Sequence, residues 1–143
     1  MSAFGKADVA AFLERVFAPW VQELGIETLE VGENGARFRL PENPALVRQN
    51  REGPAIFCGQ AIAAVADTAS VLTLCLLNRR IRNCTTVDMT THFLRPIPLG
   101  DVEVRIEAVS NGRRMAVTRA GFHAGGSPRA AAVATCSFAY LEE

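Results

Sequence analysis

The stretch C-G-Q-A-I-A-A-V-A-D-T-A-S-V-L-T-L-C, Cys58 to Cys75, decides the fold. It reads as one long helix, apolar on every side, with the single carboxylate of Asp67 near its centre. Between Gly53 and Asn78 no other residue carries a formal charge. A helix without a polar face is normally enclosed by the rest of its protein. An uncompensated carboxylate in such a place is unfavourable by several kcal/mol. Asp67 is therefore either satisfied by backbone donors or an arginine from elsewhere, or it is a general base or nucleophile.

Working outward, the segment before this helix contains A-D-V-A-A-F-L-E-R-V-F-A-P-W. Val9, Phe12, Leu13, Val16, Phe17 and Trp20 follow helical spacing, which predicts an amphipathic helix over about residues 6–24. E-T-L-E-V-G-E and G-A-R-F-R-L-P then alternate polar with apolar and are joined through Gly32–Gly35, a hairpin signal. The following stretch, residues 41–54, carries three of the seven prolines (Pro41, Pro44 and Pro54) and reads as a loop. Beyond the long helix four more strands are expected. The second of them alternates Val102, Val104, Ile106 and Ala108 against Asp101, Glu103, Arg105 and Glu107. The short breaks P-I-P-L-G, S-N-G and G-G-S-P predict antiparallel neighbours. The sum is an α+β fold in one domain spanning residues 1–143, with a curved antiparallel sheet of about six strands around one central helix.

Charge excludes some functions. Fifteen Lys and Arg residues balance fifteen Asp and Glu residues, so there is no overall field to hold nucleic acid or an anionic membrane. The apolar run 54–77 is long enough to raise a membrane span. It would set Asp67 near mid-bilayer, at a cost of about 2.5–3.5 kcal/mol, and a membrane helix is not expected. No secretory signal is visible at the start of the chain. The cysteines at 58, 75, 84 and 136 show no C-x-x-C and no pairing with the two histidines that suggests zinc. Three of them lie within or beside apolar runs and read as small buried hydrophobes, and free thiols favour a reducing cytoplasm.

Gly59 gives Asp67 a context. It stands where the helix begins, where backbone N–H groups lack an intrahelical partner and the dipole is positive. A glycine there lets a carbonyl come close enough for the N–H to stabilise an oxyanion. Gly59 and Asp67 are about 12 Å apart along a helix axis and about 80° apart around it. They do not easily converge on one carbonyl within one chain. If both act on one thioester, Asp67 must come from a second subunit, which predicts an obligate dimer with two equivalent interfacial sites.

At this point the residues match a family. G-Q-A-I-A-A-V-A-D-T-A, then T-T-V-D-M-T-T-H-F-L-R-P, G-D-V-E-V and N-G-R-R resemble the hotdog-fold acyl-CoA thioesterases. The likeness is to the phenylacetate-degradation type, with the 4-hydroxybenzoyl-CoA type as a relative, and it runs from about Val31 to Tyr140. It implies edge-to-edge dimers that pair into tetramers, with Asp67 as the catalytic acid and Gly59 of the other subunit as the N–H donor. It also implies that the Thr86 hydroxyl holds the attacking water, that Asn50 reaches the thioester or the water, and that Arg113 and Arg114 contact the phosphates of coenzyme A. Arg95 is a weaker candidate for the phosphates. No metal or other cofactor is implied, since the coenzyme A thioester is the substrate. The family usually has His-Gly-Gly where this chain has Cys58-Gly59-Gln60. The glycine is kept and the imidazole is absent, and Cys58 and Gln60 become candidates for substrate contact.

Three other readings complete the set. Cys58 as a nucleophile would profit from the helix N-terminus but has no histidine nearby in sequence to activate it. His92 reads as a surface or interface residue, and His123, near G-G-S-P, as solvent-facing. Hydrolysis of an acyl-CoA is the main expectation. The alternative is a catalytically weak acyl-CoA binding module or sensor of the same fold. A dehydratase is disfavoured because no histidine pairs with an acid in or beside the long helix.

Overall fold

Alternation along residues 102–111 folds as expected. Strand β6 (Val102–Asn111) buries Val102, Val104, Ile106 and Ala108 and turns Arg105 and Glu107 to solvent. The computed structural model describes residues 2–49 and 52–142. In chain order they form α1 (Val9–Val16), α2 (Pro19–Gln22), β1 (Glu27–Val31), β2 (Gly35–Leu40), β3 (Val47–Arg48), β4 (Ile56–Phe57) and α3 (Gly59–Asn78). β5 (Cys84–Phe93), β6, β7 (Met115–Ala124) and β8 (Ala132–Tyr140) complete the chain. Six strands make one antiparallel sheet in the order β1-β2-β6-β7-β8-β5, curved around α3. The core lies between them, with Phe38, Leu72, Val104, Phe122 and Phe138 fully buried. At the β1–β2 turn Gly32 N–H donates to Gly35 O at 2.8 Å. A Cβ on Gly35 would stand 2.1 Å from Ile106 O, so only glycine fits that approach of β2 to β6.

Several expectations are corrected. The N-terminal helix is not one element. Phe17 and Ala18 are extended ahead of Pro19, as the residue before a proline prefers, and a separate α2 follows. Val9 and Phe12 are buried as expected, whereas Val16 at the end of α1 and Trp20 beyond the break are exposed. The stretch read as a loop holds a 3-10 turn at Pro44–Leu46 and the β3–β4 ribbon, with Val47 opposite Phe57. His123 is buried rather than solvent-facing, with Nδ1 placed 3.0 Å from Ser127 O.

The largest topological difference concerns P-I-P-L-G. The short break predicts that β5 and β6 are neighbours, but β5 pairs with β8 at the sheet edge. Residues 94–101 instead cross the N-terminal end of α3 and bind β4 on the way. Phe57 N–H donates to Ile97 O at 2.9 Å and Leu99 N–H to Ala55 O at 3.2 Å. This crossing delivers Phe93, Leu94 and Arg95 to the start of the helix.

α3 is also less enclosed than its composition predicts. By length and composition alone it is long and apolar enough to cross a membrane, and 67% of its most apolar window is buried inside the fold. The remainder is a stripe, Gln60, Ala63, Ala64, Asp67 and Val71, at i, i+3, i+4, i+7 spacing, left partly open. Beside it runs β5, most of whose residues are exposed, including Val87 and Phe93 at 55% each.

Candidate active site

The start of α3 is held from two sides. Cys58 is extended, its N–H donates to Leu46 O at 2.8 Å, and Phe57 is tied to Ile97. Helical geometry begins at Gly59, and Cys58 provides no side-chain cap for the first turn. The backbone donors there are thus left without that partner in the positive end of the dipole. An ideal Cβ on Gly59 would lie 3.3 Å from Phe93 Cζ, so the Phe93 ring rests directly on the glycine. Around them is a cavity of about 670 Å³, with Phe57, Ile62, Phe93 and Leu94 as apolar walls and Arg48 and Arg95 among its polar groups. Cys58, Gly59 and Gln60 line the same cavity. Four of the sequence-predicted residues therefore meet in one place: Cys58, Gly59, Gln60 and Arg95.

Asp67 and Thr86 form a second locus farther along the helix. Thr86 Oγ1 donates to Asp67 Oδ1 at 2.7 Å. The sheet arranges this meeting. In the β5–β8 register Thr86 faces Phe138 and Asp88 faces Ser137, which leaves Val87 as a bulge. A bulge re-aims the neighbouring side chain, here toward the open stripe of α3. Among the described residues no ion pair involves Asp67. Two thiols lie within electrostatic reach of it. Burial pushes the Cys84 thiol up to about 11, with the Cys75 thiol and Asp67 charge adding to it. Burial also raises Cys136, which Asp67 pushes the same way. Both stay protonated near neutral pH and are poor nucleophiles. Because α3 is one continuous helix, the estimate of about 12 Å between Gly59 and Asp67 along it stands.

Arg113 and Arg114 lie at a third locus, the β6–β7 turn beside the C-terminal end of α3. They line a cleft of about 760 Å³ with Arg80, Arg82, Tyr140 and Glu142. Arg95 is separate from them, at the Gly59 end. Asn50 lies outside the described residues. Sequence reasoning missed Phe93, Arg80 and Arg82. The run R-R-I-R at 79–82, just past a helix end, was a usable signal for the two arginines. Nothing in the sequence marked Phe93, because its role depends on the crossing of residues 94–101. Among the described residues no group of three or more His, Cys, Asp or Glu side chains is placed to hold a metal ion.

An amide donor beside an apolar cavity, a carboxylate carrying a hydroxyl partner, and an arginine-lined cleft suit acyl transfer from an anionic carrier. The comparisons agree. Residues 47–139 match the family described as acyl-CoA thioesterase N-terminal domain. No curated protein matches the sequence. Among solved structures, a thioesterase from Haemophilus influenzae is 20% identical with a TM-score of 0.79, covering 100% of this chain and 98% of that one. A thioesterase family protein from Silicibacter pomeroyi is 23% identical with a TM-score of 0.77, over 97% and 100% of the two chains. A conserved protein from Pseudomonas aeruginosa is 23% identical with a TM-score of 0.74, over 90% and 98%. At these identities the likeness is one of fold.

Proposed function

The chain belongs to the acyl-CoA thioesterase family, and from that membership we propose that it hydrolyses an acyl- or aroyl-CoA thioester at two equivalent sites shared between the subunits of a homodimer. The observation that carries this reading is Asp67, partly open on the α3 stripe beside the edge strand β5 and hydrogen-bonded by Thr86. A ten-residue edge strand with exposed Val87, Met89 and Phe93 needs a cover, and a second copy pairing along β5 supplies one. Antiparallel pairing of two such edges brings the helix start of one subunit toward the middle of the helix of the other.

In the shared site the thioester carbonyl accepts from Gly59 N–H of one subunit while Asp67 of the other takes a proton from water. The water oxygen bonds to the carbonyl carbon, and Thr86 orients it. The tetrahedral intermediate collapses with loss of the C–S bond, and the proton on Asp67 returns to the departing thiolate. Direct attack by Asp67, forming an anhydride that water then opens, gives the same products. The cavity with Phe57, Ile62 and Phe93 suits an apolar or aromatic acyl group, which fits the phenylacetate-degradation type. The cleft at Arg113 and Arg114 suits the phosphates of coenzyme A. Pairing of two dimers into a tetramer extends the same reading, and the four free cysteines fit a cytoplasmic setting.

Replacing Asp67 by Asn tests the assignment. Thiol release followed with a thiol-reactive dye should fall by about a hundredfold to ten-thousandfold, with the dimer intact. Near wild-type turnover would refute it. A second reading, acyl-CoA binding with little hydrolysis, is favoured by Cys58 standing where the family usually has an imidazole. It predicts tight binding of acyl-CoA by the unmodified protein without thiol release across chain lengths.

A further inference from the structure

Of the arginines around the 760 Å³ cleft, Arg82 is held differently from the rest. Its side chain is only 9% exposed, against 62% for Arg80. The guanidinium lies on the Tyr140 ring, 3.4 Å from its centroid. Each of its three nitrogens donates within the chain: Nε to Glu142 Oε1 at 2.5 Å, Nη1 to Gly112 O at 3.3 Å and Nη2 to Arg113 O at 2.8 Å. The two carbonyls belong to the turn between β6 and β7 that carries Arg113 and Arg114. The next carbonyl, Arg114 O, accepts from Tyr140 N–H at 2.8 Å, and Gly112 N–H closes the turn on Met115 O. Three successive turn carbonyls are thus fixed, two of them by Arg82. The platform below is fixed as well, since Asn78, Asn111 and the Tyr140 hydroxyl form a closed ring of hydrogen bonds.

We propose that Arg82 is a positioning residue that locks the β6–β7 turn so that Arg113 and Arg114 are held toward the cleft and its anionic ligand. This rests on the reading of the cleft as the site for the phosphates of coenzyme A. Holding two long cations side by side costs side-chain entropy and mutual repulsion, and a mobile turn would add its own entropy to every binding event. A planar fork that stacks on an aromatic ring and reaches two carbonyls at once fixes a turn in a way an ammonium does not. Arg82 therefore acts through the turn, and its neighbours meet the ligand.

The test is Arg82→Lys, which keeps the charge and loses the fork. Two substrates carrying the same acyl group are compared, the coenzyme A thioester and the pantetheine thioester, which has no phosphates. KM for the coenzyme A thioester should rise about tenfold while kcat changes by less than about twofold and KM for the pantetheine thioester is unchanged. In an Arg113→Ala/Arg114→Ala background the same substitution should add nothing. Tyr140→Leu, which removes the ring beneath the guanidinium without changing the charge of the cleft, should give a smaller rise in the same direction, and serves if Arg82→Lys does not fold. Calorimetric binding of coenzyme A itself gives the same comparison without turnover. An unchanged KM, an equal rise with both substrates, or a full further rise in the double-alanine background would each overturn the positioning role. If the double-alanine variant leaves KM for the coenzyme A thioester unaltered, the phosphate assignment itself fails. If that variant raises KM and Arg82→Lys does not, only the inference about Arg82 fails.

Discussion

Thr86 Oγ1 and Asp67 Oδ1, 2.7 Å apart, tie the edge strand of the sheet to the middle of the central helix. The hydroxyl donates its only proton to the carboxylate, so its lone pairs remain free for a water on the far side. Among the described residues Thr86 is the one donor to this carboxylate, which leaves its other oxygen to take a proton. Thr86→Val removes the donor at nearly constant shape. We expect kcat to fall by about tenfold to a hundredfold with KM within about threefold, and Thr86→Ser to retain most activity. Steady-state kinetics on a single acyl-CoA decide it, and a Val variant with unaltered kcat removes Thr86 from the mechanism.

Gly59 offers a contrast between losing a donor and gaining a methyl group. Proline is tolerated at the first position of a helix, and Cys58 already has the extended backbone (ψ 151) that a following proline needs. Gly59→Pro therefore deletes one N–H at a place where the fold can accept the ring, although Phe93 must move. Gly59→Ala keeps the N–H and asks only a small shift of the Phe93 ring, whose Cζ would lie 3.3 Å from the new Cβ. The expected order is a loss in kcat of about a hundredfold or more for Pro and a much smaller loss for Ala. Equal losses in the two variants, with similar melting temperatures, would mean that the amide is not the oxyanion donor.

Much of the fold was legible because single residues announced it. The strict alternation from Asp101 to Ala108 could bury only one face, and the helix around Asp67 had no charged residue to interrupt it. Asp67 stood out for the same reason, and Gly59 by its place at the helix start. What stayed hidden depended on long-range placement. The exit of β5 to the far edge follows from how residues 94–101 cross the helix end, and five residues of Pro, Ile, Leu and Gly do not encode that direction. Apart from Gln60 and Asp67, the partly open stripe is made of Ala63, Ala64 and Val71, as apolar as the buried face, so hydropathy did not mark its course. Trp20 fits the apolar spacing of α1, but it lies beyond the break and is exposed. Arg82 looks in sequence like any exposed cation near a helix end, and its burial needs the partners Tyr140 and Glu142 from the far end of the chain.

If each site takes Gly59 from one subunit and Asp67 from the other, two inactive variants should rescue one another. A heterodimer of an Asp67→Asn chain with a Gly59→Pro chain holds one site with both defects and one with neither. Refolded or co-expressed mixtures should regain a quarter of wild-type activity or about that, from random pairing in which half the dimers are mixed. Each variant alone should stay inactive. A mixture as inactive as its parents, in which mixed dimers are demonstrated by mass, would place both groups within one chain.

The last prediction concerns alkaline pH. Burial raises the thiols of Cys75, Cys84 and Cys136 above the ordinary 9.0 and the Tyr140 hydroxyl above 10.0, with Cys84 reaching about 11. In the folded chain these groups therefore keep their protons over a range in which the unfolded chain releases them. The native state then binds more protons than the unfolded one, so stability falls as pH rises. The stabilisation is complete below the unfolded thiol value and is lost as pH climbs toward the folded one, which sets the window at about pH 9–11. Thermal melting should be level from about pH 7 to 8.5 and fall across that window, and Cys84→Ala should flatten the slope. Because the Asp67 charge adds to the shift at Cys84 and Cys136, Asp67→Asn should lower both thiols, visible as thiolate absorbance appearing at lower pH. A melting temperature that stays level through pH 11 contradicts the burial of these groups. A thiol titration indifferent to Asp67→Asn instead contradicts the closeness of the two cysteines to Asp67.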